Sequence, residues 1–249
     1  DSLASNSRAD FRAATSGVEA IYLCPSMFEP VRPLRALLPS HVVDSRIAVA
    51  TIAHDLTNYL FPSYYQVRPG DNRLFEARRR LFASADVHFA ISRSTAVDLQ
   101  KVWSIPHQRV LEVGSGIAQF FTRQDVDTRS LLALGITRPF VLCVGRADPR
   151  KRTNAAIEAF GRLPMGLRND HQLVIACKVS ESTAAEWRER ARHLGLPDES
   201  VVITGLVTDD QLRQLYSACS LFVEPSEYEG FGFPAAEAAA CGAAVVVAR

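Results

Sequence analysis

Two loops in the second half of the chain hold the residues best suited to chemistry. In VLCVGRADPRKRTNAAIEAF, residues 141–160, Gly145 follows an apolar run directly, and Arg146 and Lys151 stand in the stretch leading into a helical pattern. Arginine forks onto two phosphate oxygens at once and lysine supplies a compact point charge, so the pair suits a diphosphate. Arg150 and Arg152 lie in the same stretch, and taken alone the loop reads equally as a solvated basic turn. In SEYEGFGFPAAEAAACG, residues 226–242, Gly230 and Gly232 let the backbone approach a ligand closely, and Pro234 fits the first turn of a helix. That helix start presents its free N–H groups and positive dipole end to the same place, which favours an anion. Glu229 stands before the glycines and Glu237 one turn into the helix. Ionised carboxylates only accept hydrogen bonds, so the pair suits the hydroxyls of a ribose and a sugar. Its bland alternative is a capping carboxylate and a solvated glutamate.

A third loop, in VVITGLVTDDQLRQLYSAC (201–219), has Gly205 at the end of a strand and Thr208 or Asp209 as a cap for the next helix. It reads either as a base-contacting loop or as a plain strand–turn–helix. The string Asp125–Val126–Asp127 lies in a charged stretch rather than at a strand end and reads as a solvated turn, so no metal site is expected. The cysteines Cys24, Cys143, Cys177, Cys219 and Cys241 show no ligand spacing. Three of them sit in or beside apolar runs, which marks reduced core residues.

The elements that must position these loops alternate. Short runs rich in β-branched residues fall at 18–23, 47–53, 87–91, 109–113, 139–144, 172–177, 200–204, 220–224 and 243–248. Helical patterns fall at 72–84, 93–102, 154–162, 181–194, 208–218 and 234–241. The strands are near-continuous in polarity, as parallel strands covered on both faces are, and the alternation predicts open α/β sheets with right-handed crossovers. Strand character is lost over 115–138, which sets a boundary between domains 1–125 and 126–249.

Composition narrows the partners. Hydrophobic residues make up 47% and charged residues 22% of 249, an ordinary globular balance. With 28 Lys and Arg against 27 Asp and Glu, the net charge of +1 gives no field for nucleic acid or an anionic bilayer. No run approaches the ~18–20 apolar residues of a transmembrane helix. The expected place is the cytoplasm, with the inner face of the membrane as a surface open to peripheral contact.

The runs GRADPRK, TGLVTDDQL and EPSEYEGFGFPAAEAAACGAAVV, in this order over about 110 residues, resemble the C-terminal domain of glycosyltransferase family 4, retaining enzymes of the GT-B fold. The resemblance implies that Arg146 and Lys151 bind the donor diphosphate beside Gly145. It implies that Glu229, Gly230, Phe231 and Gly232 contact the donor sugar and that Glu237 holds the ribose. Leu206 and Val207 would lie near the base. IAVATIAHDLTNYLFPSYY is similar to a family segment in which His54 faces the donor sugar; as an isolated residue, a histidine at a strand end is more often a capped or buried structural one. His41, His88, His107, His171 and His193 match no role. The surroundings of SMFEPVRPLRALLP and HDLTNYLFP resemble mannosyltransferases of bacterial surface polysaccharides.

The resemblance implies two Rossmann-like domains, an acceptor-side one that is incomplete and a nucleotide-sugar-binding one lacking its last elements. Family members open with a βαβ unit whose Gly-rich loop underlies the donor phosphates, and none is found before residue 18. It also implies hexose transfer, first mannose, from a nucleotide sugar such as GDP-mannose to a glycan or lipid-linked glycan, with no metal and no other cofactor. The alternatives are a non-catalytic nucleotide-sugar-binding module of a larger glycan-assembly protein, a phosphorylase, or a sugar-nucleotide epimerase of similar architecture.

Overall fold

The computed structural model describes residues 17, 20–26, 28, 37, 42, 47–65 and 71–248. His41, the chain before residue 17 and most of the segment 26–39 lie outside the described residues. The chain divides into two compact units between Gly116 and Ile117.

The first unit is built on four parallel strands in sequence order, β1 (Ala20–Cys24), β2 (Ile47–Ala53), β3 (Val87–Ala90) and β4 (Val110–Glu112). Helices α2 (Asp71–Ser84) and α3 (Arg93–Trp103) follow a short α1 (Thr57–Leu60). Ser92 caps α3 by accepting from the Thr95 amide, and Leu99 and Trp103 on that helix join Phe82 of α2 in the core. Inside this apolar layer lies one polar pair in register across β2 and β3: Thr51 Oγ1 and His88 Nδ1 are 2.9 Å apart, both side chains wholly buried. Burial, aided by the charge of Arg109, pushes the His88 imidazole down to about 4 from its ordinary 6.5.

That depression makes the first unit acid-sensitive. The unfolded chain binds a proton on this histidine below its ordinary value, whereas the folded chain resists it until about pH 4. The stabilisation is therefore complete above the ordinary value and is lost as pH falls towards 4, to the extent of about 3 kcal/mol. Urea unfolding on both sides of this window should show the loss, and His88→Gln, which keeps a partner for Thr51, should flatten it. An unchanged acid slope in the variant would assign the loss elsewhere.

The second unit carries five parallel strands, β5 (Phe140–Val144), β6 (Gln172–Ala176), β7 (Val201–Ile203), β8 (Leu221–Glu224) and β9 (Val245–Val247), in the order β7-β6-β5-β8-β9. Its helices are α4 (Thr128–Ala133), α5 (Thr153–Gly161), α6 (Met165–Asp170), α7 (Glu181–His193), α8 (Asp209–Ala218) and α9 (Phe233–Ala240). Every residue of β6 is buried, because both faces are covered. Leu173 and Ile175 pack with Ile157, Phe160 and Trp187 of α5 and α7. Val174 and Ala176 pack with Leu215, Tyr216 and Ala238 of α8 and α9. This two-sided packing explains why the run reads as continuously apolar.

Thr208 caps α8 in a reciprocal box with Gln211. Asp127 caps α4 by accepting from the Arg129 amide, which gives the Asp125–Asp127 string a structural use. The segment before α4 is fastened to α8: the Gln124 amide donates to Ser217 Oγ at 3.3 Å, and the Asp127 amide to Gln214 Oε1 at 3.0 Å. All five cysteines are buried.

Candidate functional site

The strand order places a switch point in the second unit. From β5 the chain winds outward to β6 and β7, then returns to add β8 and β9 on the other side of β5. Loops leaving the carboxyl ends of β5 and β8 therefore diverge, and the crevice between them is where open α/β sheets bind ligands. These are the two loops singled out by their residues.

The β5 loop is shaped by a one-turn 3-10 helix, Pro149–Lys151, whose first amides are met by Asp148; the Arg150 amide donates to Asp148 Oδ1 at 3.0 Å. Arg152 then takes a left-handed conformation, φ 50°, and starts α5. This tight turn sends neighbouring basic side chains different ways. Arg146 and Arg152 are exposed, whereas Arg150 is buried and Lys151 half-buried.

Arg150 fastens the two loops together. It donates from Nη1 to the Tyr228 carbonyl, its own carbonyl accepts from the Glu227 amide at 2.9 Å, and its Nη1 lies 3.2 Å from Glu229 Oε2. Lys151 Nζ donates to Glu229 Oε1 at 2.5 Å and lies 3.9 Å from Glu224 Oε1. Burial pushes the Glu229 carboxyl up, but the hydrogen bond and charge of Lys151, with Arg150 behind them, hold it below its ordinary value. Glu224, at the end of β8 and almost fully buried, behaves oppositely. Burial and the neighbouring Glu229 raise its carboxyl to about 7 against the pull of Lys151 and Arg150.

The glycine turn between Glu229 and α9 is tight for a stated reason. Gly232 has φ 82° and is the N-cap of α9, and a Cβ there would stand 3.2 Å from Glu224 Oε2. A side chain would meet both a strained backbone and a buried carboxylate. Gly230 is buried, and the Phe231 ring lies 4.9 Å from that of Phe233. A Cβ added at Gly145 would stand 3.8 Å from the Lys151 stem, an ordinary contact. Glu237 is half-buried on α9 and accepts from the Tyr216 hydroxyl at 3.0 Å. Burial raises both groups, so the phenol stays protonated as the donor.

The structure thus brings Lys151, Glu229, Gly230 and Gly232 to one crevice, with Glu237 on the helix that opens from it. Arg146 lies exposed on the β5 loop; its charge, with the Ala147 backbone, partly offsets the burial that raises the Cys177 thiol beyond β6. Leu206 and Val207 follow β7, two strands from β5; Leu206 is 80% exposed and Val207 packs against the core. His54 belongs to the first unit, exposed beyond β2, with Nε2 3.3 Å from the Pro25 carbonyl oxygen. It lines a cavity of about 270 Å³ together with Asp55, Asn58, Tyr59, Phe75 and Trp103. Sequence reasoning missed Arg150, Glu224 and Tyr216. The only trace of Glu224 was a carboxylate closing the apolar run LFVE.

Among the described residues no group of three or more His, Cys, Asp and Glu is placed to hold a metal ion, and no helix is long and apolar enough to cross a membrane.

Residues 130–249 match the model of the family described as Glycosyl transferases group 1. The chain is 34% identical over 199 residues to the serotype-specific mannosyltransferase WbdA of Escherichia coli, covering 78% of this chain and 24% of that protein. It thus spans about a quarter of the length of that relative. In fold it is similar to sucrose-phosphate synthase from Thermosynechococcus elongatus, with a TM-score of 0.68 at 20% identity over 98% of this chain and 60% of that one. It is equally similar to Anabaena HepE, solved in complex with UDP-glucose, with a TM-score of 0.68 at 17% identity over 98% and 63% of the two chains. The α/β architecture with parallel sheets is that of GT-B glycosyltransferase structures. Residues 130–249, which hold every member of the Lys151–Glu229 cluster, are the part of the chain that matches the family model of the glycosyl transferases of group 1.

Proposed function

We propose that this chain is the nucleotide-sugar-binding part of a retaining glycosyltransferase of family 4, moving a hexose from a nucleoside-diphosphate donor to a hydroxyl of a growing glycan. The first choice of donor is GDP-mannose, because the relative at 34% identity is a mannosyltransferase. A diphosphate-linked sugar is also the ligand of the similar HepE structure. The acceptor would be a glycan, free or lipid-linked, and His54 is proposed to face the donor sugar. Donor binding at a peripheral, cytoplasmic membrane face fits a glycan-assembly role.

One observation carries this reading: Lys151 and Arg150 converge on Glu229 where the β5 and β8 loops part at the switch point. In the proposed reaction the bond between the anomeric carbon and the diphosphate oxygen breaks. The acceptor oxygen forms its bond on the same face, and the acceptor proton leaves with the nucleoside diphosphate. Lys151, Arg146 and the free amides at the start of α9 would meet the charge gathering on the leaving group, without a metal. Glu229 would accept from a sugar hydroxyl and Glu237 from the ribose, with Leu206 and Val207 towards the base.

The test is calorimetric binding of GDP-mannose and UDP-glucose to this chain, followed by nucleoside diphosphate release from labelled donor in the presence of a glycan acceptor. Binding together with acceptor-dependent release is expected. Absence of binding to either donor would sink the reading, and binding without release would leave a non-catalytic module.

A further inference from the structure

Glu224 has no part in the donor reading above. It is 5% exposed, yet among the described residues its Oε1 accepts no hydrogen bond, and Lys151 Nζ stands 3.9 Å from that oxygen. Its Oε2 faces the bare Cα of Gly232, 3.2 Å from where a Cβ would be. A buried carboxylate with an unused oxygen is costly to keep, and this one is kept beside the candidate anion crevice. The ammonium of Lys151 is thereby held between two acids, Glu229 in direct contact and Glu224 at longer range. An arriving diphosphate competes with both for the same cation.

Resting on the donor reading, we propose that Glu224 is a positioning residue coupled to donor binding: its charge holds Lys151 in the empty crevice, and it takes one proton from solvent when a diphosphate draws Lys151 away. The groups facing it are Lys151 and Arg150 from the 3-10 turn, Glu229 from the glycine turn and Glu237 from α9. Tyr216 from α8 and Cys143 from β5 complete the set. Burial raises the phenol, and it raises the Cys143 thiol to about 12, so both stay neutral and exchange no proton near neutral pH. Burial, then Glu229, lift Glu224 to about 7 against Lys151 and Arg150, with Glu237 adding to the rise. Losing the ammonium and gaining a diphosphate both raise it further. Binding therefore takes up a proton, and affinity grows as pH falls through the neutral range. Glu229 also loses Lys151, but its carboxyl starts below its ordinary value, so its own uptake belongs to a more acid window.

Nucleotide sugars suit the test because their diphosphate is doubly esterified and keeps a constant charge across neutral pH. Titrating the chain with GDP-mannose and with UDP-glucose near pH 7.5, in buffers of differing ionisation enthalpy, should show uptake of about half a proton or more. Affinity should fall about fivefold between pH 7 and pH 8.5. Glu224→Gln should bind with no uptake and a flat profile over the same range. Binding by the wild-type chain without proton uptake would overturn the coupling and leave the donor reading standing, whereas no binding of either sugar would overturn the donor reading itself. If Glu224→Gln loses its native circular dichroism, the wild-type buffer series decides: uptake centred near neutrality supports the coupling, and its absence refutes it.

Discussion

Lys151→Ala is expected to weaken binding of a nucleotide sugar about a hundredfold, with Lys151→Arg recovering part of the loss. That magnitude follows from charge-assisted hydrogen bonds to phosphate, worth about 1.5–3 kcal/mol each, where Arg150 is committed to other partners and Arg146 is exposed to solvent. Arg150 is buried and tied to the Tyr228 carbonyl and Glu229, so it stands behind the crevice. Alanine at 151 also leaves Glu224 and Glu229 facing each other with less compensation, and removing one member of a buried ionic group destabilises by about 3–5 kcal/mol when burial is complete. The Lys151 side chain keeps 13% of its exposure and Glu229 keeps 23%, and Glu224 can protonate, so the loss of stability should fall well short of that range. Binding and stability thus respond together, so stability is to be compared without donor, because a saturating donor binds the folded chain and adds stability of its own. Calorimetry that finds donor affinity unchanged in Lys151→Ala would remove Lys151 from the phosphate site.

The sheets were legible because burial on both faces leaves its mark residue by residue. QLVIAC, read as a strand, is β6, and all nine apolar runs correspond to strands in register with parallel neighbours, the first from Ala20 onward. The short helices were not legible. Thr57–Leu60, Thr128–Ala133 and Met165–Asp170 span four to six residues, too few to repeat a helical period. Strand order was hidden as well, since nothing local to LFVE says that it returns to the far side of β5.

At the candidate site, residue types were legible in the sequence and side-chain directions were not. The string RADPRKR offers four basic residues, and a 3-10 turn capped by Asp148 decides which of them face β8. Sequence pairs Arg146 with Lys151, whereas the turn exposes Arg146 and buries Arg150. Glu224 and Tyr216 escaped notice because a glutamate at a strand end and a tyrosine on an amphipathic helix are ordinary until their partners are known. The fold supplies those partners from α8, α9 and the β5 loop.

Glu229→Gln is expected to slow sugar transfer by a factor of about 10²–10³ while leaving donor affinity unchanged or tighter. The two effects separate because Glu229 has two tasks in the proposed cycle. In the empty crevice it is the 2.5 Å partner of Lys151 and a 3.2 Å partner of Arg150. Glutamine removes that competing charge, which frees Lys151 for the diphosphate. During transfer, positive charge gathers on the ring of the departing sugar, and an ionised carboxylate held against it is worth several kcal/mol in a preorganised, water-poor site. The cations beside Glu229 keep it ionised well into the acid range, so its negative charge is in place at neutral pH. A neutral amide of the same shape keeps the hydrogen bond and loses the charge. The rate should therefore fall at saturating donor, seen as a lower kcat with KM for the donor steady or reduced. A Glu229→Gln variant that transfers at the original rate would confine Glu229 to restraining Lys151.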